Sequence, residues 1–360
     1  MGEVVNNDLL SSFEGRRVLI TGHTGFKGSW LSFMLHESGA DVLGYALPPD
    51  KEKSHFSLLG LSDKIHHVEA DIRDAEKLDS CMKEFQPEFV FHLAAQALVR
   101  PSYQDPKTTF DTNITGSVNL LEAVRHCESV RSLVYITSDK CYENNNWVWG
   151  YRENDQLGGH DPYSASKAAA EIVFSAYARS FFTDRKELGA ASARAGNVIG
   201  GGDWSEDRII PDCIRAIETG KPIQLRSPNA TRPWQHVSEP LSGYLLLALR
   251  LRDEPRTYSN AWNFGPSSSE VCTVLEVAEH IVARMGRGEI KITDSDSNQH
   301  EAKLLQLNCD KARQILGWSP QWNVEKALNT TADWYKEISI GKDASDVSRQ
   351  QIIEYFGQTI

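Results

Sequence analysis

Apolar residues fall in short unbroken runs along the first half of the chain. Arg17-Val-Leu-Ile-Thr-Gly22 is the first, and others lie at Asp41–Leu47, Ile65–Ile72, Phe89–Ala95 and Ser132–Ser138. Runs of this length, rich in β-branched and aromatic residues, predict strands. They are continuous rather than alternating, so both faces should be buried. Stretches of helical spacing separate them: Trp30, Leu31, Phe33, Met34 and Leu35 before Gly39, then Ala75–Phe85 and Thr108–Cys127. This β-α-β-α order predicts an α/β fold, a doubly wound parallel sheet wrapped by helices.

The pattern changes after about Gly200. Glycine, proline and tryptophan crowd Gly200–Trp204 and Arg226–Gln235. Helical patterns recur at Pro211–Glu218, Pro240–Leu251, Thr273–Met285 and Cys309–Leu316. We expect a first domain over residues 1–199 and a smaller C-terminal substrate-binding lobe over 200–340, from which the chain crosses back to the first domain. Residues 1–13 read as a disordered start. Residues 341–360 read as a polar tail with one weak helical pattern through Ile352, Ile353 and Phe356.

Composition narrows the function. The chain has 360 residues, 38 basic and 49 acidic, for a net charge of −11. That balance argues against a nucleic-acid-coating surface. No apolar run approaches the ~18–20 residues needed to span a bilayer. Met1–Phe13 has no basic n-region, so no signal peptide is expected. Cys81, Cys127, Cys141, Cys213, Cys272 and Cys309 form no C-x-x-C pair. Their scatter reads as reduced thiols of a cytoplasmic protein, with no metal site. On that reading the sequons at Asn113, Asn229 and Asn329 carry no meaning.

Three motifs carry chemistry. Gly22-His-Thr-Gly25-Phe-Lys-Gly28 stands where a strand ends and a helix begins. Glycines there allow a tight turn and close approach of backbone N–H groups to a pyrophosphate, and the helix N-terminus adds partial positive charge. A flexible glycine loop is the plain alternative, but the strand–loop–helix context favours a Rossmann-type dinucleotide site. The second strand ends Tyr45-Ala-Leu47-Pro-Pro, with no acid for the adenosine ribose before Asp50. Discrimination against a 2′-phosphate should therefore be weak, and Lys27 could favour one. Asp71, ending the third strand with Ile72, could meet the adenine edge or cap the next helix.

The second motif is Tyr163-Ser-Ala-Ser-Lys167, behind Asp161 and Pro162, a good N-cap and first helical residue. Tyrosine and lysine at i and i+4 share a helix face. A lysine ammonium there should lower the phenol's pKa and make it a general base. Lys167 could also hold the nicotinamide ribose. Alone, this pattern is common and mostly structural; after a glycine-loop half it gains weight. The third motif is Thr137-Ser138-Asp139-Lys140, at a strand's carboxyl end, where ligands of parallel sheets bind. Ser138 could bond a reacting oxygen, with Asp139 and Lys140 as acid and base. A loop salt bridge is the alternative.

These motifs, with His92-Leu93-Ala94-Ala95, Asn113 in Thr112-Asn-Ile-Thr-Gly116, and Arg194-Ala-Gly-Asn197-Val, resemble the extended short-chain dehydrogenase/reductase family from about Arg16 to about Gln321. Ser138-Asp-Lys-Cys-Tyr142, the Trp147–Trp149 loop and Gly201-Gly-Asp-Trp-Ser-Glu-Asp-Arg208-Ile-Ile-Pro211-Asp resemble its nucleotide-sugar 4,6-dehydratases. Related dTDP- and GDP-sugar enzymes carry a Glu-like acid where Lys140 stands, and the lysine is typical of the branch acting on CDP-glucose. The resemblance implies NAD as cofactor, held by Gly22, Thr24, Gly25, Phe26, Lys27, Gly28, Asp71, Ile72, Leu93, Ala94, Ala95, Tyr163 and Lys167.

It implies Ser138, Asp139, Lys140, Tyr163 and Lys167 as catalytic, with Tyr163 the base at the C4 hydroxyl and Lys140 the base at C5. It implies Asn113, Asn197, Arg208 and Arg232 as contacts to the nucleotide sugar. Arginine suits the diphosphate because its planar fork grips phosphate oxygens, although either arginine could instead be a surface ion pair. His236, four residues past Arg232, reads as a satisfied core histidine. A homodimer or homotetramer is expected, from surplus apolar residues on the helix from Asp161 to about Phe182. The implied setting is deoxysugar (lipopolysaccharide O-antigen) biosynthesis. A nucleotide-sugar 4-epimerase and a non-catalytic dinucleotide sensor are the rival readings.

Overall fold

The computed structural model describes residues 8–49, 53–267, 271–293 and 304–357. Seven strands form one sheet: β1 Arg17–Thr21, β2 Asp41–Ala46, β3 His66–Glu69, β4 Phe89–His92, β5 Ser132–Ile136, β6 Gly189–Ala195 and β7 Ala261–Phe264. Their spatial order is β7-β6-β5-β4-β1-β2-β3, and every neighbouring pair is parallel. The direction of winding reverses between β1 and β4, which opens a crevice at their carboxyl ends. The register sets Thr21 beside both Tyr45 and His92.

Successive strand residues point to opposite faces. Leu19, Leu43, Val90, Leu133 and Tyr135 face a core shared with helices α2 (Gly116–His126) and α3 (Pro162–Tyr177). Val18, Ile20, Val42, Phe91 and Val134 face a second core. It is shared with α1 (Phe26–Glu37), α4 (Ser238–Asp253), α5 (Val324–Ser339) and α6 (Ala344–Phe356). Burial on both faces explains the unbroken apolar runs. The exception is β3, shorter than expected and half-exposed, because it is the sheet's edge.

Other departures from the sequence reading have physical causes. Residues 8–13, expected within a disordered start, are ordered, because Leu9, Leu10 and Phe13 are buried and Phe13 packs on Phe89 at 5.0 Å between ring centroids. Residues 1–7 lie outside the described residues. The expected helix over Thr108–Cys127 is two α-helical pieces, Pro106–Phe110 and α2, joined by a π-helical turn at Asp111–Thr115. Among the described residues after Gly200, the buried apolar side chains join clusters shared with the first half of the chain. Ile210, Ile214, Trp262 and Val277 belong to the same buried cluster as α1, and β7 joins the sheet beside β6.

The expected polar tail is likewise α6, with Val347, Ile352, Tyr355 and Phe356 buried. It is stitched to α1 through His55. The His55 ring stacks on Trp30 at 4.6 Å and bonds Ser29 Oγ (3.0 Å) and Ser348 Oγ (3.1 Å). Arg349 of α6 pairs with Glu37 at the end of α1.

Four buried histidines tie stability to pH. His23, His55, His92 and His236 are each pulled down to about 3, with burial as the largest cause. The unfolded chain protonates them below about pH 6.5 while the folded chain does not. Unfolding therefore takes up protons, and stability falls as pH drops through 6.5. Each histidine contributes about 1.4 kcal/mol per pH unit once well below that value. The urea midpoint should hold from pH 8 to 7 and drop steeply from 6 to 5. A midpoint unchanged down to pH 5 would show that these rings gain protons in the folded state.

Candidate active site

The glycine loop closes over the crevice. Gly22 has φ +77°, and a Cβ there would lie 2.7 Å from the Ala94 nitrogen and 2.8 Å from the Leu93 carbonyl carbon. A Cβ on Gly28 would lie 2.1 Å from the Gly22 oxygen. The loop thus packs backbone to backbone against the segment after β4. Ala94 N–H donates to Thr21 Oγ1 (3.3 Å), and Ala95 follows in the same loop. Thr24 Oγ1 donates to the Leu47 carbonyl at 2.9 Å, tying the loop to the end of β2. Gly25 caps α1 without a side chain, and the first turn carries no acid. Bare N–H groups at a helix start, approachable because no Cβ stands in front of Gly25, fit a pyrophosphate.

The remaining cofactor-side residues sort themselves. The helix after β3 is capped by Asp74, which accepts from Lys77 N–H at 3.0 Å, so Asp71 is not the cap. Asp71 instead grips Arg73, whose guanidinium holds its carboxyl below the usual range. Ile72 is buried against Gly116. Phe26 is half-buried and reaches toward Gly200. Lys27 faces inward. Burial pulls it down to about 8, Arg208 pushes the same way and Asp139 opposes. Its charge in turn acts on Asp139 and Lys167. Asp50 lies outside the described residues.

The catalytic motifs converge at the ends of β5 and β6. Ser138 caps the short turn Asp139–Cys141 and donates from Oγ to Asp139 Oδ1 at 2.9 Å. Asp139 is buried, and burial raises its carboxyl pKa against the pull of Lys140, Ser138, Lys27 and Arg232. Lys140 is the first charge to oppose that rise, so the two side chains interact electrostatically. Asp161 caps α3 by accepting from Ser164 N–H at 2.9 Å, as the motif predicts.

Tyr163 and Lys167 are both buried on one face of α3. Burial pushes Tyr163 up to about 12, Ser138 opposes and Asp139 reinforces. Burial pulls Lys167 down to about 8, with Lys27 acting in the same sense. This corrects the expected lysine-driven lowering of the tyrosine: in the protein alone, desolvation of the phenolate outweighs any such help.

The four expected substrate contacts divide. Arg208 bonds Asp203 Oδ2 at 2.8 Å, and its charge reaches Tyr163 and Lys27. Arg232 donates to the Thr231 carbonyl (2.8 Å), and its charge reaches Asp139. Asn197 takes a left-handed backbone, φ +44°, in the loop after β6. Asn113 is placed elsewhere. It is buried in the π-helical turn, accepts from Gln96 N–H (2.8 Å), and donates to the Gln96 carbonyl (3.0 Å) and Ser166 Oγ (2.8 Å). Both amide donors are spent, so Asn113 braces the segment after β4 against α3 rather than facing a ligand. His236 is a buried ring against Trp322 with Nδ1 bonded to Ser238 Oγ, but its Nε2 finds no partner among the described residues, so the expected satisfied histidine is met on one side of the ring only.

Sequence reasoning gave no role to Gly196 and Glu171. A Cβ on Gly196 would lie 1.9 Å from Asp139 Oδ2, so the glycine makes room for the acid. Glu171 stands one turn past Lys167 on the same face, buried and paired with Arg194 at 2.8 Å. A carboxylate repeating the four-residue spacing of Tyr163 and Lys167 on an apolar helix was the available signal.

A family model described as GDP-mannose 4,6 dehydratase matches residues 19–331. The chain belongs to this family. It is 47% identical over 351 residues to the CDP-glucose 4,6-dehydratase of Salmonella typhimurium, covering 96% of this chain and 98% of that one. Among solved structures, the UDP-glucose 4-epimerase of Thermus thermophilus in complex with NAD superposes with a TM-score of 0.76 at 26% identity, over 89% of this chain and 99% of that one. The dTDP-glucose 4,6-dehydratase of Bacillus anthracis shares the fold, with a TM-score of 0.75 at 22% identity over 92% and 99% of the two chains.

The contact between Gly196 and Asp139 makes a direct test of site geometry. The Gly196→Ala methyl would meet the Asp139 carboxyl carbon at 2.4 Å and its Cβ at 3.1 Å, so rotation alone cannot clear it. Displacement of a reacting group by about 1 Å can cost ~10²-fold. Turnover should fall by about that factor while dinucleotide affinity, read by calorimetry, stays within about threefold. Turnover near that of the parent would mean that the position of Asp139 does not matter.

Proposed function

We propose that this chain is an NAD-dependent 4,6-dehydratase acting on CDP-glucose, a hydro-lyase that yields the 4-keto-6-deoxy sugar. The observation that carries the reading is a buried acid at a strand end. Asp139 is raised by burial, accepts from Ser138 Oγ and lies within the charge of the adjacent Lys140. The Salmonella relative, named for this reaction, supports the choice of nucleotide sugar. A 4-epimerase needs the Tyr–Lys pair but no acid and base for C5 and C6, so it leaves Asp139 without a task. A non-catalytic sensor leaves Tyr163 and Lys167 without one.

NAD, when bound along the glycine loop, supplies the carrier that takes hydrogen from C4 and returns it to C6. Tyr163 takes the proton of the C4 hydroxyl, and Ser138 holds that oxygen. The C4 ketone acidifies the hydrogen on C5, which Lys140 removes. Asp139 gives its proton to the C6 hydroxyl, which leaves as water. Lys140 then returns its proton to C5. The proton gained by Tyr163 balances the one lost by Asp139. Arg208, Arg232 and Asn197 would face the diphosphate and Lys167 the nicotinamide ribose.

A panel of nucleotide-glucoses tests the reading. CDP-glucose should give a 4-keto product with loss of water, and the uridine, guanosine and thymidine analogues much less. Lys140→Met should still oxidise C4, seen as reduced-cofactor absorbance, while C5 stops exchanging with deuterated solvent. Normal exchange in that variant rules Lys140 out as the base. No keto product from any donor refutes the dehydratase.

We also propose a cytoplasmic homodimer built on α3. Among the described residues no helix is long and apolar enough to cross a membrane. Ile172 is 60% exposed and Phe181 42% exposed on the outer side of this helix and its π-helical extension, Ala178–Phe182. Paired with the neighbouring Pro106–His126 helix across a two-fold axis, they would form a four-helix interface. Sedimentation at micromolar concentration should give a dimer or tetramer. A monomer, or a dimer undisturbed by Ile172→Glu, counts against this face.

A further inference from the structure

The acid–base turn and the Tyr–Lys helix belong to different elements, and one buried ion pair connects them. Tyr163, Lys167 and Glu171 stand at four-residue intervals on α3. The Glu171 and Arg194 side chains are each 3% exposed. Arg194 Nε and Nη2 donate to the two carboxylate oxygens at 2.8 Å each. Ser192 Oγ donates to Oε2 at 2.8 Å, and Thr137 Oγ1 donates to Oε1. The carboxylate therefore has four donors on two oxygens.

The third nitrogen of Arg194 reaches the other way. Nη1 donates to Tyr142 Oη at 2.6 Å and to the Glu153 carbonyl at 3.0 Å. Tyr142 Oη in turn donates to Asn263 Oδ1 on β7 at 2.8 Å. Thr137 immediately precedes Ser138, and Tyr142 immediately follows the turn Asp139–Cys141. The segment carrying Ser138, Asp139 and Lys140 is thus gripped just before its start and just after its end. The grip is anchored one helical turn from Lys167.

We propose that Glu171 and Arg194 are positioning residues that fix the distance between the acid–base turn and the Tyr163–Lys167 helix. The inference rests on the dehydratase reading, because only that reaction needs both halves in one cycle. Stability alone is a poor reason for the pair. Desolvating two charges offsets their attraction, and neutral replacements of both partners are often harmless. Removing one partner is different, since it strands a buried charge. Geometry supplies the better reason. The guanidinium is planar and forked, so it fixes direction as well as distance.

The test uses the double variant Glu171→Gln with Arg194→Met, which removes both charges and keeps an amide for Thr137 and Ser192. We expect the melting temperature and NAD affinity to stay near those of the parent. With CDP-glucose, kcat should fall about 10²-fold and KM should stay within about threefold, the signature of reacting groups out of place. Arg194→Lys keeps a charge but loses the fork to Tyr142. It should slow water loss more than C4 oxidation, so reduced-cofactor absorbance should build up on mixing with substrate.

A folded double variant with more than about a third of parental kcat overturns the proposal. A double variant that loses melting temperature and NAD affinity along with kcat also overturns it, since the pair is then simply structural. If the parent enzyme itself forms no keto sugar, the dehydratase reading falls and the proposal with it.

Discussion

A parallel sheet covered by helices on both faces gives polar side chains one outlet, the row of strand carboxyl ends. In this molecule Lys27, Ser138, Asp139, Lys140, Tyr163 and Lys167 all stand along that row, supplied by the loop after β1, the turn after β5 and helix α3. Crowding them there removes water, and desolvation disfavours charge whatever its sign. Asp139 and Tyr163 are accordingly raised, Lys27 and Lys167 lowered. The same burial therefore shifts a carboxyl up and two amines down, toward the forms a proton-transfer site needs. It also works against the phenolate, so Tyr163 depends on charge arriving with its ligands.

The elements legible in the sequence were those whose function demands a local signature. The strand–glycine loop–helix unit was readable because the turn at Gly22 and the packing at Gly28 admit no side chain. The start of α3 was readable because Asp161 caps it and Pro162 opens it. β6, written Gly-Ala-Ala-Ser-Ala-Arg-Ala, carries no large apolar residue, and β7 is only Ala261–Phe264. Neither gives periodicity enough to read, yet both are central to how the chain after Gly200 joins the sheet.

What the sequence did not show has a different cause, which is direction. Asn113 and Asp71 were read from where they stand in motifs, but packing decides which partners their side chains take. A π-helical turn rotates Asn113 onto Gln96 and Ser166. Arg73, two residues on, claims Asp71. Backbone position is written in the sequence locally, whereas side-chain direction is settled by neighbours distant along it.

The stitching of α6 to α1 has a consequence for how the protein is made. α1 is made before α6, yet Ser29, Trp30 and Glu37 find their partners through Ser348, Trp334 and Arg349. Domains generally fold from the N-terminus during synthesis. Here the nascent dinucleotide site must wait, its apolar flank uncovered, until α6 has been translated. Chaperones would therefore meet this protein at the face of α1 that α6 finally covers.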